Sequence, residues 1–316
     1  MQIRTVCVIG GGGFLGRHVV HRLAAQEIFV RVPTRRRERA KQLILLPTVD
    51  VVTADVHDPR ALERLLGSVD AVINLVGILH PAGAETFERN HVELPRKIVA
   101  ACRAIGIKRL MHVSALKAAL DAPSAYLRSK AEGESQIRAA QAIGIETTIL
   151  RPSVIFGRDD SFLNLFARLA RLLPIIALAS PNARFQPVFV EDVARALTTC
   201  MMDPRTFGHT YDLCGPKVYT LRELVQYVCR TLGVQRPVIG LNESLSLLQA
   251  GLLERLPGKL MTRDNVYSMR VDNVCSCAFP ELLQFGPTPL EAVVPEYLAG
   301  VTPRSRYRSF RYRAGR

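Results

Sequence analysis

Short apolar runs alternate with amphipathic stretches through the first half of the chain. The runs are rich in β-branched residues, as in buried strands, and the stretches between them repeat apolar residues at helical spacing. The predicted strands are residues 3–9, 28–33, 49–53, 70–76, 108–114 and 145–150, and the predicted helices are residues 14–25, 36–46, 59–67, 86–105 and 125–143. This alternation predicts an α/β fold, a Rossmann-type doubly wound parallel sheet with helices on both faces.

The pattern changes beyond residue 157. The predicted helical stretches there are residues 159–183 and 218–260, and the predicted short strands are residues 186–190 and 210–213. We therefore predict a dinucleotide-binding domain over residues 1–157. A smaller, mostly helical lobe is predicted over residues 158–300, with its two short strands returning to the side of the sheet.

The chain is basic, with a net charge of +14, and residues 301–316 are predicted to form a flexible basic tail. The last 13 residues carry six arginines and no acid, and Tyr307, Phe310 and Tyr312 lie between these arginines. Such a segment suits anionic lipid headgroups, nucleic acid, an acidic protein face or simple solvation. Nothing else in the chain suggests a nucleic-acid module, so no nucleic-acid partner is expected.

No run of 18 uninterrupted apolar residues exists, and the nearest approach, residues 162–178, is interrupted by Asn164, Arg168 and Arg171. That segment is interpreted either as a helix of the smaller lobe or as an amphipathic surface resting on a membrane or a membrane-bound partner. The first predicted strand leaves no room for a signal peptide. We expect a cytoplasmic protein, with peripheral binding to the cytoplasmic face of the inner membrane as the further option.

The cysteines give no metal site. The seven of them are scattered, none forms a CxxC pair, and Cys275 and Cys277 are too close together for half of a zinc site. No metal ligand is therefore assigned.

A glycine turn follows the first predicted strand, where residues 10–16 read GGGGFLG. Gly10 permits a tight turn, Gly13 lets the backbone approach a phosphate, and Gly16 lets the following helix pack closely. Phe14 and Leu15 begin that helix, whose N-terminal amides attract an anion. The turn predicts a site for the pyrophosphate of a dinucleotide.

The residues after the second predicted strand indicate which dinucleotide is bound. Thr34, Arg35 and Arg36 stand there, and no acid appears until Glu38. An acid at this place would bond the ribose 2′-hydroxyl of NAD, whereas cations would neutralise the 2′-phosphate of NADP. We expect NADP(H) to be preferred, with NAD(H) possible. The alternative is that the arginines only solvate the start of the next helix.

The ends of the third and fourth predicted strands complete the expected cofactor site. Asp55 and Val56 close the third strand and suit an adenine contact. Asn74, Val76 and Gly77 end the fourth strand, where small residues let the cofactor lie close.

Tyr126 and Lys130 are the candidate catalytic pair. Residues four apart share a face of a helix, so the phenol and the ammonium group are expected to point to one place. A nearby lysine cation stabilises phenolate, so we expect the pKa of Tyr126 to fall toward the working pH and the tyrosine to exchange a proton with substrate. Lys130 is also a candidate to hold the nicotinamide ribose.

These motifs together resemble a known family. The glycine turn, the Tyr126/Lys130 pair and the segments 151–157 and 186–194 are similar to an extended short-chain dehydrogenase/reductase, of the NAD-dependent epimerase/dehydratase type. More narrowly, the segments 74–79, 112–116, 124–130 and 162–164 resemble one atypical branch, the nucleotide-binding accessory subunit of respiratory complex I and its bacterial relatives. The resemblance extends from about residue 3 to about residue 300.

The resemblance implies further site residues. Pro152 and Val154 are implied as cofactor contacts. Active members of the family use a serine or threonine to polarise the substrate carbonyl, and Ser114 is the candidate here. It is a single hydroxyl, one or two positions earlier than usual, so the resemblance favours holding the nucleotide over consuming it.

Three functions follow from these observations, and the first is favoured. The chain is interpreted as an NADP(H)-binding accessory or assembly-type subunit associated with respiratory NADH:quinone oxidoreductase at the inner membrane. The second hypothesis is a free-standing NADP(H)-dependent reductase, epimerase or dehydratase, supported by the Tyr126/Lys130 pair. The third is a redox-sensing regulator, supported by the shared fold alone.

Overall fold

The structure, a computed structural model, describes residues 3–256, 259–299, 311 and 314. Apart from Arg311 and Ala314, the predicted basic tail therefore lies outside the described residues. The chain divides into two compact units, and each is built from separate stretches of sequence. The sheet unit comprises Met1–Pro152, Val190–Leu213 and Cys275–Phe285, and the helical unit comprises Ser153–Phe189, Cys214–Val274 and Gly286–Arg316. The division predicted from sequence was continuous, whereas two segments beyond residue 157 cluster with the sheet unit.

Thirteen strands lie within the described residues. They are β1 (Thr5–Ile9), β2 (Phe29–Thr34), β3 (Val49–Thr53), β4 (Ala71–Asn74), β5 (Arg109–Val113), β6 (Glu146–Pro152), β7 (Ile155–Phe156), β8 (Ile176–Leu178), β9 (Arg184–Phe185), β10 (Val188–Phe189), β11 (Thr210–Leu213), β12 (Tyr219–Thr220) and β13 (Val238–Gly240). Ten α-helices accompany them in the same part of the chain. They are α1 (Phe14–Ala25), α2 (Pro59–Leu66), α3 (Leu94–Ile105), α4 (Ala125–Ala139), α5 (Leu163–Leu172), α6 (Val190–Met202), α7 (Leu221–Thr231), α8 (Glu243–Leu253), α9 (Arg263–Ser268) and α10 (Leu290–Leu298).

The sheet unit is a seven-stranded parallel sheet in the order β11-β6-β5-β4-β1-β2-β3. Successive strands are added on one side from β1 to β3 and on the other side from β4 onward, so the order reverses beside β1. Ligands of such sheets bind at this reversal, outside the carboxyl ends of the strands. The prediction of a Rossmann-type doubly wound parallel sheet is confirmed, and β11 occupies the predicted strand 210–213.

Helices cover both faces of this sheet. On one face α2, α3 and α4 bury a common apolar core with Leu62, Ile98 and Ile137. Helices α1 and α6 pack against each other, and their buried residues, such as Leu23 and Leu197, lie outside that core, on the opposite face. Burial of apolar surface stabilises the folded protein by about 25 cal/mol per Å². The packed helices therefore hold the strands in place, together with the candidate site residues at the strand ends.

Two predicted helices of the sheet unit differ from those observed. Residues 36–46 form only a short 3₁₀ helix, Arg37–Ala40, because Ala40 and Leu43 are the buried apolar side chains there and Pro47 follows. The helix predicted over residues 86–105 begins with a π-helical turn, Glu88–Glu93, before α3. Such turns are frequent at functional sites.

The helical unit packs around its own apolar core. Helices α5, α7 and α10 contribute Phe166, Leu224, Val228 and Val294, and the two-stranded pairs are β7 with β10, β8 with β13 and β9 with β12. The mostly helical prediction for residues 159–183 is wrong beyond Leu172, because Pro174 ends the helical pattern. Among the described helices of both units, none has the length and apolar character needed to span a bilayer.

Candidate functional site

The turn between β1 and α1 brings two loops of the sheet unit into backbone contact. Gly10 has a φ of +87°, a conformation that side chains rarely adopt. A Cβ atom on Gly10 would lie 3.2 Å from the carbonyl carbon of Leu75 and from the nitrogen of Val76, which follow β4. The turn is closed by a 3.0 Å hydrogen bond from the Gly13 N–H to the Gly10 carbonyl oxygen.

The start of α1 is shaped to receive an anion. A Cβ atom on Gly16 would lie 2.2 Å from the Gly10 carbonyl oxygen, so the helix meets the turn where no side chain fits. Gly13 is the N-cap and offers no side chain to the first-turn amides, and no acid stands in that turn, which begins with Phe14 and Leu15. Unsatisfied amides and the positive end of the helix dipole suit a pyrophosphate, so these residues fit a dinucleotide.

The residues after β2 are engaged with other protein groups. The Thr34 hydroxyl donates a 3.0 Å hydrogen bond to the carbonyl oxygen of Arg36, whose side chain is exposed. The Arg35 guanidinium forms an ion pair with the Glu85 carboxylate. Asn90 donates a second hydrogen bond to Glu85, with 2.9 Å between Nδ2 and Oε2. One of the three candidate residues for the 2′-phosphate therefore already has an anionic partner.

The expected adenine contacts lie after β3 and are partly used by the fold. Asp55 Oδ1 accepts a 3.0 Å hydrogen bond from the backbone N–H of His57, and its Oδ2 lies 3.9 Å from Nη2 of Arg89. Val56 packs against the core of α2, α3 and α4, as does Val76 after β4. Asp55 is exposed, so its carboxylate remains accessible beside the strand ends.

Asn74, at the end of β4, joins the β4 loop to β5. Its Oδ1 accepts a 3.2 Å hydrogen bond from the Val76 N–H, so its Nδ2 donates toward Nδ1 of His112, 3.1 Å away. The proton of the neutral His112 ring is then assigned to Nε2. Burial, followed by the charge of Lys130, holds the pKa of His112 well below its usual range.

The α4 end of the site holds Tyr126 and Lys130. Ser124 caps the helix by accepting a hydrogen bond from the Leu127 N–H. The Lys130 ammonium donates a 2.8 Å hydrogen bond to the Val113 carbonyl oxygen at the end of β5. A Cβ atom on Gly77 would lie 3.9 Å from the Lys130 Nζ, so the structure brings the β4 loop and the lysine together.

The pKa expected for the candidate proton donor is wrong in direction. Burial raises the pKa of Tyr126 to about 12, where a fall toward neutrality was expected. Burial also lowers the pKa of Lys130 to about 8, against the opposing charge of Glu134. Both shifts have one physical cause, since a buried group loses the hydration of its charged form. Spacing along a helix indicates a shared face but carries no information about burial.

His91, which the sequence analysis missed, lies in the π-helical turn before α3 and links the loop after β4 to α4. His91 Nε2 accepts a 3.0 Å hydrogen bond from the Ile78 N–H, so Nδ1 carries the proton and donates to the Ser129 hydroxyl, 2.8 Å away. Ser129 in turn donates to the carbonyl oxygen of Tyr126. Burial, and then the charge of Lys130, lowers the pKa of His91 to about 3, so the ring is neutral.

Two aromatic rings pack against the partly buried ring of Tyr126. Phe87 lies 6.0 Å and His91 5.7 Å from the Tyr126 ring, both edge to face. Gly133 allows α4 to approach this closely, because a Cβ atom there would lie 2.1 Å from the His91 carbonyl oxygen. A glycine inside a helix is the sequence signal that marks such an approach.

Ser114 lies just beyond β5 with a polar atom unused by the protein. Its Oγ, like Nε2 of His112, is buried and has no hydrogen-bond partner within residues 3–256 and 259–299. Both side chains stand on one face of the extended segment, two residues apart. Buried polar groups are normally satisfied, so this pair has hydrogen-bonding capacity for a bound polar group.

A partly buried ion pair, with its carboxylate buried, anchors α4 to β6. Arg151 donates to both carboxylate oxygens of Glu134, with 2.7 Å from Nε to Oε1 and 2.6 Å from Nη2 to Oε2. Arg138 adds a 3.1 Å contact to the same carboxylate. Glu134 lies one turn beyond Lys130, so this pair sets where the lysine stands relative to the strand ends.

The remaining two candidates belong to different units. Pro152 ends β6 in the sheet unit, and its carbonyl oxygen accepts a 3.0 Å hydrogen bond from the Leu116 N–H. Val154 belongs to the helical unit. Across the described residues, no group of three or more His, Cys, Asp or Glu side chains is arranged to hold a metal ion.

Comparison with known proteins identifies relatives of the whole site region. Residues 6–214 match the model of the NAD dependent epimerase/dehydratase family. The chain is 32% identical to NADH dehydrogenase [ubiquinone] 1 alpha subcomplex subunit 9, mitochondrial, from Mus musculus, over 96% of this chain and 81% of that protein. It is 31% identical to a ceramide reductase from Caulobacter vibrioides, over 84% of this chain and 82% of that protein.

Solved structures share the fold. The UDP-glucuronic acid 4-epimerase from Bacillus cereus, solved with UDP-glucuronic acid and NAD, superposes with a TM-score of 0.70 at 17% identity, over 94% of this chain and all of that one. The strand order, the glycine turn and the family match all indicate the same fold. The chain therefore belongs to the NAD dependent epimerase/dehydratase family, a family of NAD(P)-binding proteins with the extended short-chain dehydrogenase/reductase fold.

Proposed function

We propose that this protein binds NADP(H) as an accessory or assembly-type subunit associated with respiratory NADH:quinone oxidoreductase. The observation that carries the proposal is the contrast within one sheet edge. The glycine turn packs closely against α1 and leaves the first-turn amides without a side-chain cap, as a pyrophosphate site requires, whereas burial raises the pKa of Tyr126 to about 12. The site supports binding a dinucleotide better than it supports exchanging a proton with a substrate.

The cofactor assignment rests on the residues of the sheet unit. The amides at Gly13 and the start of α1 would hold the pyrophosphate, and Arg35 and Arg36 would hold a 2′-phosphate, which favours NADP(H) over NAD(H). Ser114 and His112 have free hydrogen-bonding capacity for the polar part of the nicotinamide end. When bound, the nicotinamide supplies hydride-transfer chemistry.

Association with a membrane complex is supported by the relatives and by the surface of the helical unit. The Mus musculus relative is named as a subunit of NADH dehydrogenase. The end of α5 and the residues after it expose Leu172, Leu173 and Ile175, with Arg168 and Arg171 exposed beside them. Apolar side chains flanked by cations suit a membrane-bound partner at the cytoplasmic face of the inner membrane.

Mass spectrometry of nucleotide released from the native protein tests the proposal. We expect stoichiometric NADP(H) and no oxidation of added NADPH across a panel of carbonyl compounds. Affinity capture from solubilised inner membranes is expected to recover subunits of the quinone oxidoreductase. Absence of nucleotide, or recovery of the protein alone, would contradict the proposal.

A second candidate is a free-standing NADP(H)-dependent reductase. It is favoured by the Tyr126/Lys130 pair on α4, by the approach of Gly77 to Lys130, and by the relative named ceramide reductase. Here Tyr126 would donate a proton to a carbonyl oxygen, with Lys130 beside it as the positioning cation. A carbonyl-dependent oxidation of NADPH that is lost in Tyr126→Phe, with NADPH affinity retained, would establish this function in place of the first.

A further inference from the structure

The ion pair between Arg35 and Glu85 joins two loops on opposite sides of β1. Arg35 follows β2, and Glu85 lies in a tight turn after β4 that is closed by two backbone hydrogen bonds between Ala82 and Glu85, of 2.9 and 3.1 Å. In the sheet, β1 lies between β2 and β4. The ion pair therefore spans the carboxyl end of β1, where the glycine turn begins.

Glu85 is held in place as an anion. Its carboxylate contacts Arg35 through Oε1 and accepts a 2.9 Å hydrogen bond from Asn90 through Oε2. Asn90 is buried and is itself fixed by a 3.1 Å hydrogen bond to the Thr86 carbonyl oxygen. The Arg35 guanidinium holds the pKa of Glu85 below its usual range, so the carboxylate is ionised at neutral pH.

The pair is also open to exchange. The Arg35 side chain is 58% exposed and that of Glu85 is 26% exposed, so solvent and solutes reach the guanidinium. Exposed ion pairs contribute little to stability, on the order of 1 kcal/mol or less, and a stronger anion can replace the carboxylate. A phosphate monoester carries close to two negative charges at neutral pH and makes strong hydrogen bonds with arginine.

We propose that Glu85 is the resident counter-ion of Arg35 and determines selectivity between NADP(H) and NAD(H). This inference rests on the proposed binding of a dinucleotide at the glycine turn. The 2′-phosphate of NADP(H) displaces the Glu85 carboxylate from the Arg35 guanidinium. The displaced carboxylate stays nearby and repels the phosphate. The ribose 2′-hydroxyl of NAD(H) is neutral and meets no such opposition. Glu85 thus weakens binding of NADP(H) selectively.

Titration calorimetry of the full chain tests the inference with NADPH, NADH, 2′,5′-ADP and 5′-ADP. In Glu85→Gln, we expect the Kd of NADPH and of 2′,5′-ADP to fall by roughly fivefold, because one repelling charge is removed. The Kd of NADH and of 5′-ADP is expected to change by less than about twofold, since neither carries a 2′-phosphate. The effect is expected to shrink at high salt.

Glu88→Gln is the matched control. Glu88 is exposed at the start of the π-helical turn, three residues after Glu85, and forms no ion pair within the described part of the chain, and the variant loses the same charge. It is expected to leave all four affinities within about twofold of the wild type. In the Arg35→Gln background, the gain from Glu85→Gln is expected to be smaller, because competition for the guanidinium is gone and only the repulsion between Glu85 and the 2′-phosphate remains.

The outcomes separate this inference from the proposed function. NADPH binding that is equal in the wild type and Glu85→Gln, or weaker in the variant, would overturn the role of Glu85 while leaving dinucleotide binding intact. An equal gain in NADPH and NADH affinity would likewise overturn selectivity. If neither NADPH nor NADH binds to the wild type, the proposed function and the inference both fail.

Discussion

The candidate site has two ends along the carboxyl edge of the sheet, and different chemical groups form them. At the β1–β4 end, backbone groups form the site, and glycines such as Gly10 and Gly16 allow them to lie close together. At the β5–α4 end, ionisable side chains such as Tyr126 and Lys130 form it. Burial raises the pKa of Tyr126 to about 12, away from that of an active proton donor, and lowers the pKa of Lys130 to about 8. Backbone geometry survives changes in burial, whereas a tuned pKa does not. A family member can therefore retain nucleotide binding while losing turnover.

The largest effect is expected when a side chain is added where the backbone end has no room. In Gly16→Ala, the new Cβ atom would lie 2.2 Å from the Gly10 carbonyl oxygen and 2.6 Å from Gly11 Cα, so the turn or α1 must move. We expect the free energy of unfolding to fall by about 4 kcal/mol or more, and NADPH binding to be lost in whatever protein remains folded. Urea unfolding and titration calorimetry measure the two effects.

Gly12→Ala is the control in the same turn. A Cβ atom on Gly12 would meet only the Cβ of Ala40, at 3.7 Å, an ordinary van der Waals distance. Its stability is expected to stay within about 1 kcal/mol of the wild type. If Gly16→Ala were as stable as Gly12→Ala, the close approach of α1 to the turn would be refuted.

The two ends also differ in how far they can be predicted from sequence. The glycine turn is readable because its strand, turn and helix are consecutive, and Tyr126 and Lys130 are readable because they are one helical turn apart. Glu85 gave no signal, since its partner Arg35 lies fifty residues earlier in the chain. The bond between His91 and Ser129 spans 38 residues.

Energetic properties were harder to predict than positions. The pKa of Tyr126 depends on how much protein surrounds the phenol, which is a property of the tertiary structure. Residues 36–46 have an apolar pattern that favours a helix, but only Ala40 and Leu43 found a surface to pack on. The local sequence pattern predicted the strands of the sheet and their approximate ends. Whether a predicted helix forms between two strands depends on tertiary packing, which the pattern does not show.

A smaller effect is expected from releasing α4 at the other end. Glu134→Gln leaves the shape of the side chain but removes the charge that two Arg151 nitrogens contact at 2.7 and 2.6 Å. Because Glu134 is buried while Arg151 is partly exposed, we expect the free energy of unfolding to fall by about 2 to 3 kcal/mol. The Kd of NADPH is expected to stay within about threefold of the wild type, as the backbone end is untouched.

Thermal and urea unfolding measure this effect, with Glu132→Gln as the control. Glu132 lies on α4, is exposed, and forms no ion pair among the described residues. Its substitution is expected to change stability by less than about 0.5 kcal/mol. A large loss of NADPH affinity in Glu134→Gln, but not in Glu132→Gln, would mean that the two ends of the site are energetically coupled and not independent.

The smallest effect concerns the pH dependence that buried Lys130 gives to the α4 end. Its pKa in the folded protein is about 8, below the ordinary value of 10.5 expected in the unfolded chain. Between these values the unfolded chain binds more protons, so the contribution of Lys130 to stability rises with pH. Relative to Lys130→Met, the wild type is expected to gain about 2 kcal/mol between pH 7 and pH 10.

Urea unfolding at pH 7, 8, 9 and 10 isolates this contribution, because the other titrating groups are common to both proteins and cancel in the difference. The lost hydrogen bond to Val113 adds an offset that is independent of pH while Lys130 remains bonded. Lys108→Met, which removes the charge of an exposed lysine, is the matched control. If the difference for Lys130→Met were no steeper with pH than that for Lys108→Met, the Lys130 ammonium would remain hydrated in the folded protein, and burial would not distinguish this end of the site from an exposed surface.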